Sequence, residues 1–329
     1  PSATQVAAMG KFATALAAQP GVAKGIAQML GHEKTLVRQA ALRAIASQPG
    51  KVNAKDWLAA LESQLAKGAS PLLLDALAHV KDKRFDEALN TIAADTTKPS
   101  SLRLKALLAL SSSGEDLSDA AFKLLTDLFV DPANPGLRMD AAARLANTKL
   151  TPAQWDAYLA LLPNAGPLEQ SELLVALAVS QNYKRISKDT GRKIAVAFSK
   201  SSMLGTFRQD LVRKAFGFLP REIYEVLEPS FDAALAANEA KQERLVPLAQ
   251  AAVKKGDPIA GRAVYESGRG ACVACHTIGD KGNELGPNLT KIGGIRAERE
   301  HVESKLFPSY NIARDYDLNS FQLTDGTSV

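Results

Sequence analysis

The chain has 329 residues, enough for two domains with buried cores, and only 6 % of them are aromatic while Ala and Leu fill the sequence. That composition favours packed helices over sheets, because strands draw on Val, Ile, Thr and aromatic residues. The net charge of +5 is uneven: residues 257–329 hold 8 Lys/Arg against 10 Asp/Glu (−2), leaving 32 of the 40 basic and 25 of the 35 acidic residues (+7) before them, a mildly basic face without the clustered Lys/Arg of a nucleic-acid footprint.

At the N-terminus, "PSATQVAAMG" has neither an initiator Met nor a signal peptide. The expectation is that a targeting segment was removed or that the chain is a piece of a longer protein. No apolar run approaches the roughly 18–20 residues of a membrane span, so no transmembrane segment is expected in this chain.

Residues 1–255 read as a helical repeat. "VRQAALRAI" from Val37, "LRLKALLAL" from Leu102, "LRMDAAARL" from Leu137 and "FRQDLVRKA" from Phe207 share the order apolar-Arg-x-x-x-apolar-x-x-apolar, with weaker copies at "LLLDALAHV" and "EQSELLVAL". Their middle apolar positions are Leu42, Leu77, Leu107, Ala142, Leu174 and Val212, spaced 35, 30, 35, 32 and 38 apart. Ser70-Pro71, Asn134-Pro135 and Thr151-Pro152 each place a capping side chain before a Pro at the first helical position. A two-helix period of 30 to 40 residues is the pattern of an α-solenoid, the alternative being an irregular helical bundle. The pattern resembles HEAT repeats, including the Arg near the start of each second helix. His32 and His79 stand alone, and Met9, Met29, Met139 and Met203 read as core filler. This part is expected to be a scaffold or docking surface.

Near "VKKGDP" the repeat stops and glycines become frequent, which places a domain boundary there and makes residues 256–329 a second domain. It holds both cysteines of the chain in "GACVACHTIGD", with His276 directly after Cys275. Three chemistries compete for Cys272, Cys275 and His276. A thioredoxin-like dithiol needs a preceding strand, whereas residues 258–268 read as a short helix. A tetrahedral zinc site needs four ligands, and beyond these three only His301 is near. Covalent haem c uses two thiols three apart on one turn for the two vinyl groups, with the following His under the iron as fifth ligand. Two cysteines and a histidine would fall in that order by chance about once in ten thousand such chains.

The stretch 261–294, which contains "YESGRGACVACHTIGDKGNELGPNLTKIGG", together with "REHVESKLFPSYNI" and "DYDLNSFQLTDGTSV", resembles the haem-binding domain at the C-terminus of planctomycete-type membrane-bound dehydrogenase proteins, commonly preceded by HEAT repeats. "LGPNL" resembles the Gly-Pro-x-Leu segment of small class I c-type cytochromes. The resemblance implies that the Pro287 carbonyl orients His276, and that Ile278, Leu289 and Ile292 line the haem. Arg296 and Arg299 are candidates to pair with the haem propionates. Family members supply a Met as sixth ligand in a further stretch, and this chain has no Met after Met203. "FQLTDGTSV" reads as a strand, a turn and the start of a return strand, so the C-terminal part of the domain is expected to be missing. His301, on the helix "RAEREHVESKL", is the distal candidate within the chain; Tyr265, Tyr310 and Tyr316 are weaker ones.

The expected fold is therefore all-α: a HEAT-like α-solenoid followed by a small, incomplete c-type cytochrome domain with the start of a β-hairpin insertion. The expected role is electron transfer through one covalently attached haem c, with a dehydrogenase domain or redox partner protein supplying electrons. Thus the chain reads as a module of a larger oxidoreductase rather than an enzyme by itself. A catalytic or sensing haem with an open sixth site, peroxidase-like or gas-binding, is the alternative, and a partner-binding scaffold with an accessory haem is a third. Because thioether attachment takes place outside the bacterial cytoplasm, a periplasmic or envelope-facing location is expected.

Overall fold

Each apolar anchor of the repeat falls on a helix, and a second helix fills most of the intervals. A computed structural model of the chain describes residues 10, 20–47, 54–111, 117–178, 186–267, 272–283 and 286–307. Among them are fifteen helices: α1 (Pro20–Leu30), α2 (Thr35–Ala46), α3 (Leu58–Lys67), α4 (Pro71–Val80), α5 (Asp86–Ala94), α6 (Ser100–Ala109), α7 (Asp119–Phe129), α8 (Pro135–Ala146), α9 (Pro152–Leu161), α10 (Pro167–Ala178), α11 (Lys188–Ser199), α12 (Gln209–Gly217), α13 (Arg221–Val253), α14 (Pro258–Glu266) and α15 (Glu298–Leu306). The protein is mostly helical, as its composition requires. The sheet among the described residues is one two-stranded hairpin, β1 (Thr277–Ile278) with β2 (Lys281–Gly282).

The chain forms two compact units, Pro1–Tyr158 and Leu159–Val329. In the first, α2 packs on α4, α4 on α6 and α6 on α8, and each of these four pairs with the helix before it. Leu42, Leu77, Leu107 and Ala142 sit on α2, α4, α6 and α8 and are 5 %, 0 %, 1 % and 0 % exposed, so the repeat's anchors are the buried seam of this unit. In the second unit α10 packs on α12, again through fully buried anchors, Leu174 and Val212. Full burial of one such Leu contributes about 1.5–3 kcal/mol. The expected boundary near residue 256 falls inside this second unit, between α13 and α14.

Two of the repeated arginines close the turn between paired helices. Arg38 donates from Nη1 to the His32 and Glu33 carbonyls at 2.7 and 2.6 Å, and Arg103 donates from Nε to the Ala93 carbonyl at 2.8 Å. Arg38 thus ties down the carbonyls of the connecting loop. The Ala93 carbonyl, in contrast, is among the last four of α5, which have no intrahelical partner, and the Arg103 guanidinium there complements the negative end of the helix dipole. Ser70 caps α4, accepting from the Leu73 N–H at 3.2 Å. Thr151 and Gln154 form a reciprocal box: the Thr151 hydroxyl accepts from Gln154 N–H at 3.3 Å and the Gln154 side chain from Thr151 N–H at 3.0 Å. Asn134 does not cap α8, against expectation. Its side-chain amide donates to Asp131 at 2.8 Å, and Asp131 also accepts from the Ala133 N–H at 2.9 Å, so the acid organises that loop instead.

The methionines are not deep core. Met29 packs against the Val37–Ala40 cluster, while Met29, Met139 and Met203 are only partly buried; Met9 lies outside the described residues.

The 33-residue α13 carries two interior prolines, Pro229 and Pro247, each of which removes an N–H and costs about 3 kcal/mol in a helix interior. Packing at both ends offsets that cost. Ile223, Leu227 and Phe231 are buried on the first half, which packs on α11. Val246 is buried with Val302 of α15 and Phe307 beyond it. Between them, Gly205 lies against α13 so closely that a Cβ there would stand 2.2 Å from the Ala234 carbonyl oxygen. Gly205→Ala is therefore expected to force the 204–206 turn away from α13 and destabilise the protein, and Leu107→Ala to cost about 2–5 kcal/mol, both read from chemical unfolding midpoints.

Candidate functional site

α14 begins at Asp257, whose carboxylate accepts from the Ile259 and Ala260 N–H groups at 2.8 and 3.4 Å, with Pro258 at the first helical position. A 3₁₀ turn, Cys272–Ala274, follows in the described chain. The Cys272 carbonyl accepts from both the Cys275 N–H (3.2 Å) and the His276 N–H (2.9 Å), so residues 272–276 wind into a single turn. Neither cysteine is in a disulfide, and both are exposed.

After His276 the chain turns back through β1 and β2, pairing Thr277 with Gly282 and Ile278 with Lys281. Gly279 at φ +63 occupies the first corner of the two-residue turn, where a positive φ is required for the strand twist. The segment 286–289 then runs beside residues 275–277: Gly286 N–H donates to the Cys275 carbonyl at 2.6 Å and Leu289 N–H to the Thr277 carbonyl at 2.8 Å. Between these bonds, His276 Nδ1 lies 2.8 Å from the Pro287 carbonyl oxygen. A carbonyl only accepts, so Nδ1 carries a proton, and in the neutral ring Nε2 then keeps its lone pair. Nε2 has no hydrogen-bond partner among the described residues. Gly286 lies against the ring: a Cβ there would sit 2.6 Å from His276 Cε1 and 2.8 Å from Nδ1. Thr277, buried behind the histidine, donates its hydroxyl to the Asn283 carbonyl at 3.0 Å.

The structure brings Cys272, Cys275, His276 and Pro287 together, with Ile278 and Leu289 half-buried on the neighbouring segments. Ile292 is half-buried in the 3₁₀ turn Ile292–Gly294, and its carbonyl accepts from His301 Nε2 at 3.2 Å. His301 thus has its outer ring nitrogen engaged with backbone. Arg299 is engaged with Glu303 at 2.6 Å, whereas the half-buried Arg296 side chain has no such partner among the described residues. Tyr310, Tyr316 and the expected hairpin in "FQLTDGTSV" lie outside the described residues. In this part of the chain three apolar side chains are strongly exposed: Ile259 at 80 %, Ile295 at 75 % and Val264 at 49 %. Among the described residues no three His, Cys, Asp or Glu side chains converge to hold a bare metal ion.

Two contributors escape the sequence pattern. Tyr265 of α14 donates to the His276 carbonyl, and Gly282 lies against that same oxygen. Neither belongs to the Cys-x-x-Cys-His or Gly-Pro-x-Leu spacing; Tyr265 stands out in the sequence only as a weak distal candidate, and its hydroxyl is engaged with the His276 carbonyl instead.

No family model matches the chain, and no curated protein matches it.

Because both cysteines are exposed, the native protein with unmodified thiols is expected to react with two equivalents of a maleimide without denaturant, counted by mass. Gly286→Ala is expected to displace the imidazole from Pro287 with the helix content unchanged, checked by histidine ring NMR beside circular dichroism.

Proposed function

We propose that the chain carries one covalently attached haem c on a HEAT-like helical scaffold and serves electron transfer. The observation that carries this reading is the state of His276, one proton fixed on Nδ1 by Pro287 and a free lone pair on Nε2, on the same turn as two exposed thiols. The residues present fit the group. Cys272 and Cys275 would form the thioethers and His276 would provide the axial nitrogen. Gly286 leaves the ring face uncrowded, and exposed Ile259 and Ile295 offer apolar surface to cover.

When bound, haem iron supplies a one-electron Fe(III)/Fe(II) couple. The protein's part is to hold His276 in one tautomer and one orientation. The Pro287 carbonyl fixes the ring by accepting from Nδ1–H, and a rigid ligand keeps reorganisation small between oxidation states. Ile278, Leu289 and Ile292 would exclude water, and Arg296 would pair with a propionate. Arg299 would first have to leave Glu303, and His301 would have to leave the Ile292 carbonyl to reach iron through Nε2.

The solenoid part of the reading is supported by four successive helix pairs in the first unit and by burial of the anchors at a 30–38-residue spacing. Attachment chemistry assigns the protein to the periplasm or envelope, with a dehydrogenase domain or a soluble redox protein as its partner. Family resemblance names a Met as the sixth ligand.

The test is the mass and optical spectrum of exported full-length protein, oxidised and reduced, with and without carbon monoxide. One haem gained, both thiols consumed and a low-spin spectrum unaffected by the gas are expected. A high-spin spectrum that shifts with carbon monoxide would replace electron transfer with peroxidase-like or gas-binding chemistry, and exported protein with free thiols and no haem absorbance would refute both.

A further inference from the structure

α14 has no buried side chain, and its apolar residues Ile259 and Val264 face outward, yet the helix is held to the Cys-His turn. Tyr265 is its one half-buried residue, the rest being exposed. The Tyr265 hydroxyl donates to the His276 carbonyl at 2.5 Å and lies 3.4 Å from the Lys281 carbonyl, so it sits between the residue just before β1 and the first residue of β2. On the other side of the His276 carbonyl stands Gly282, at φ +109. A Cβ there would fall 1.9 Å from that oxygen and 2.8 Å from the Tyr265 hydroxyl. No side chain fits, and the backbone angle is one that L-residues rarely adopt. The oxygen therefore sits in a niche closed by a hydroxyl and a glycine Cα.

We propose that Tyr265 and Gly282 are positioning residues for His276. By fixing the His276 carbonyl they set the rotation of the peptide from which the imidazole projects, and so keep Nδ1 over the Pro287 carbonyl. This rests on the reading of His276 as a metal-binding histidine. A tyrosine required for packing alone would be served equally by phenylalanine, since its ring is half exposed. The hydroxyl is the part that reaches the histidine.

The test uses the full-length, haem-free chain labelled with ¹⁵N-histidine at a pH near 8.5, where solvated imidazoles are neutral. The chain has four histidines, His32, His79, His276 and His301, and His276→Gln identifies the signal of interest. Wild-type His276 is expected in the Nδ1–H form. Tyr265→Phe is expected to lower its Nδ1–H to Nε2–H ratio by about two- to tenfold, the scale of one lost hydrogen bond, with the other three histidines and the helical circular dichroism unchanged. Gly282→Ala is expected to act in the same direction, and if it fails to fold Tyr265→Phe still decides. A His276 tautomer in Tyr265→Phe identical to wild type overturns the proposal, and so does an equal change at all four histidines, which would mean general loosening. Thioether formation in exported protein is measured separately. Haem on Tyr265→Phe with an unchanged tautomer defeats the positioning role alone, whereas an altered tautomer in a protein that never acquires haem defeats the cofactor reading alone.

Discussion

Three consecutive carbonyls decide the geometry of the C-terminal region. Those of Cys275, His276 and Thr277 accept from Gly286 N–H, the Tyr265 hydroxyl and Leu289 N–H, donors that come from both sides of the hairpin in sequence. Main-chain groups removed from water must find partners, and here the requirement is met by the segments that also build the site. The ring bond to Pro287 is a by-product of that register. Once Gly286 and Leu289 are paired, the Pro287 carbonyl is placed beside the histidine. Glycine at 282 and 286 is demanded by proximity, since in each case an added carbon would collide with His276 itself, and at 282 by the positive φ as well.

The helical part obeys a simpler constraint. Its helices are too short, at nine to twelve residues outside α13, to be stable alone, so each depends on the apolar seam it shares with the next pair. Small residues at the seam, such as Ala41, Ala76, Ala106 and Ala142, are fully buried beside the larger anchors and allow close helix approach. Arg38 and Arg103 each tie the start of one helix to the turn before it, Arg103 at a partly buried carbonyl that would otherwise lack a partner.

Helix pairing is legible in the sequence because a repeat reports itself. The same burial requirement recurs every 30 to 38 residues, so the anchors Leu42 to Val212 align against one another without a structure. Cys272, Cys275 and His276 are legible for a related reason, since their spacing is a chemical constraint on one helical turn. Purely local rules are weaker guides. Asn134 has the residue type and position of a cap, but Asp131 competes for its amide. The continuity of α13 through Pro229 and Pro247 contradicts the helix-breaking rule, because packing on α11 and α15 outweighs it. The Thr277–Gly282 hairpin is hidden by its length, two residues a strand, too short for an alternating pattern. The role of Tyr265 is hidden because its partner is a main-chain oxygen, and sequence carries no trace of which carbonyl a hydroxyl will find.

The arrangement of α13 has one more consequence. At 1.5 Å per residue its 33 residues span about 50 Å. Its packed residues lie towards the two ends, while the stretch "DAALAANEAKQER" between them is built from strong helix formers and is largely exposed. Pro229 and Pro247 stand near the margins of that stretch, both on the solvent side, where the carbonyls they leave unpaired can be hydrated. An ordinary helix frays from its tips. This one is packed as far as Ala234, where the 204–206 turn lies on it, and again from Leu245, and is held between them chiefly by local propensity. Its amide protons should therefore exchange fastest in that interval and more slowly in the packed stretches on either side, a protection profile turned inside out.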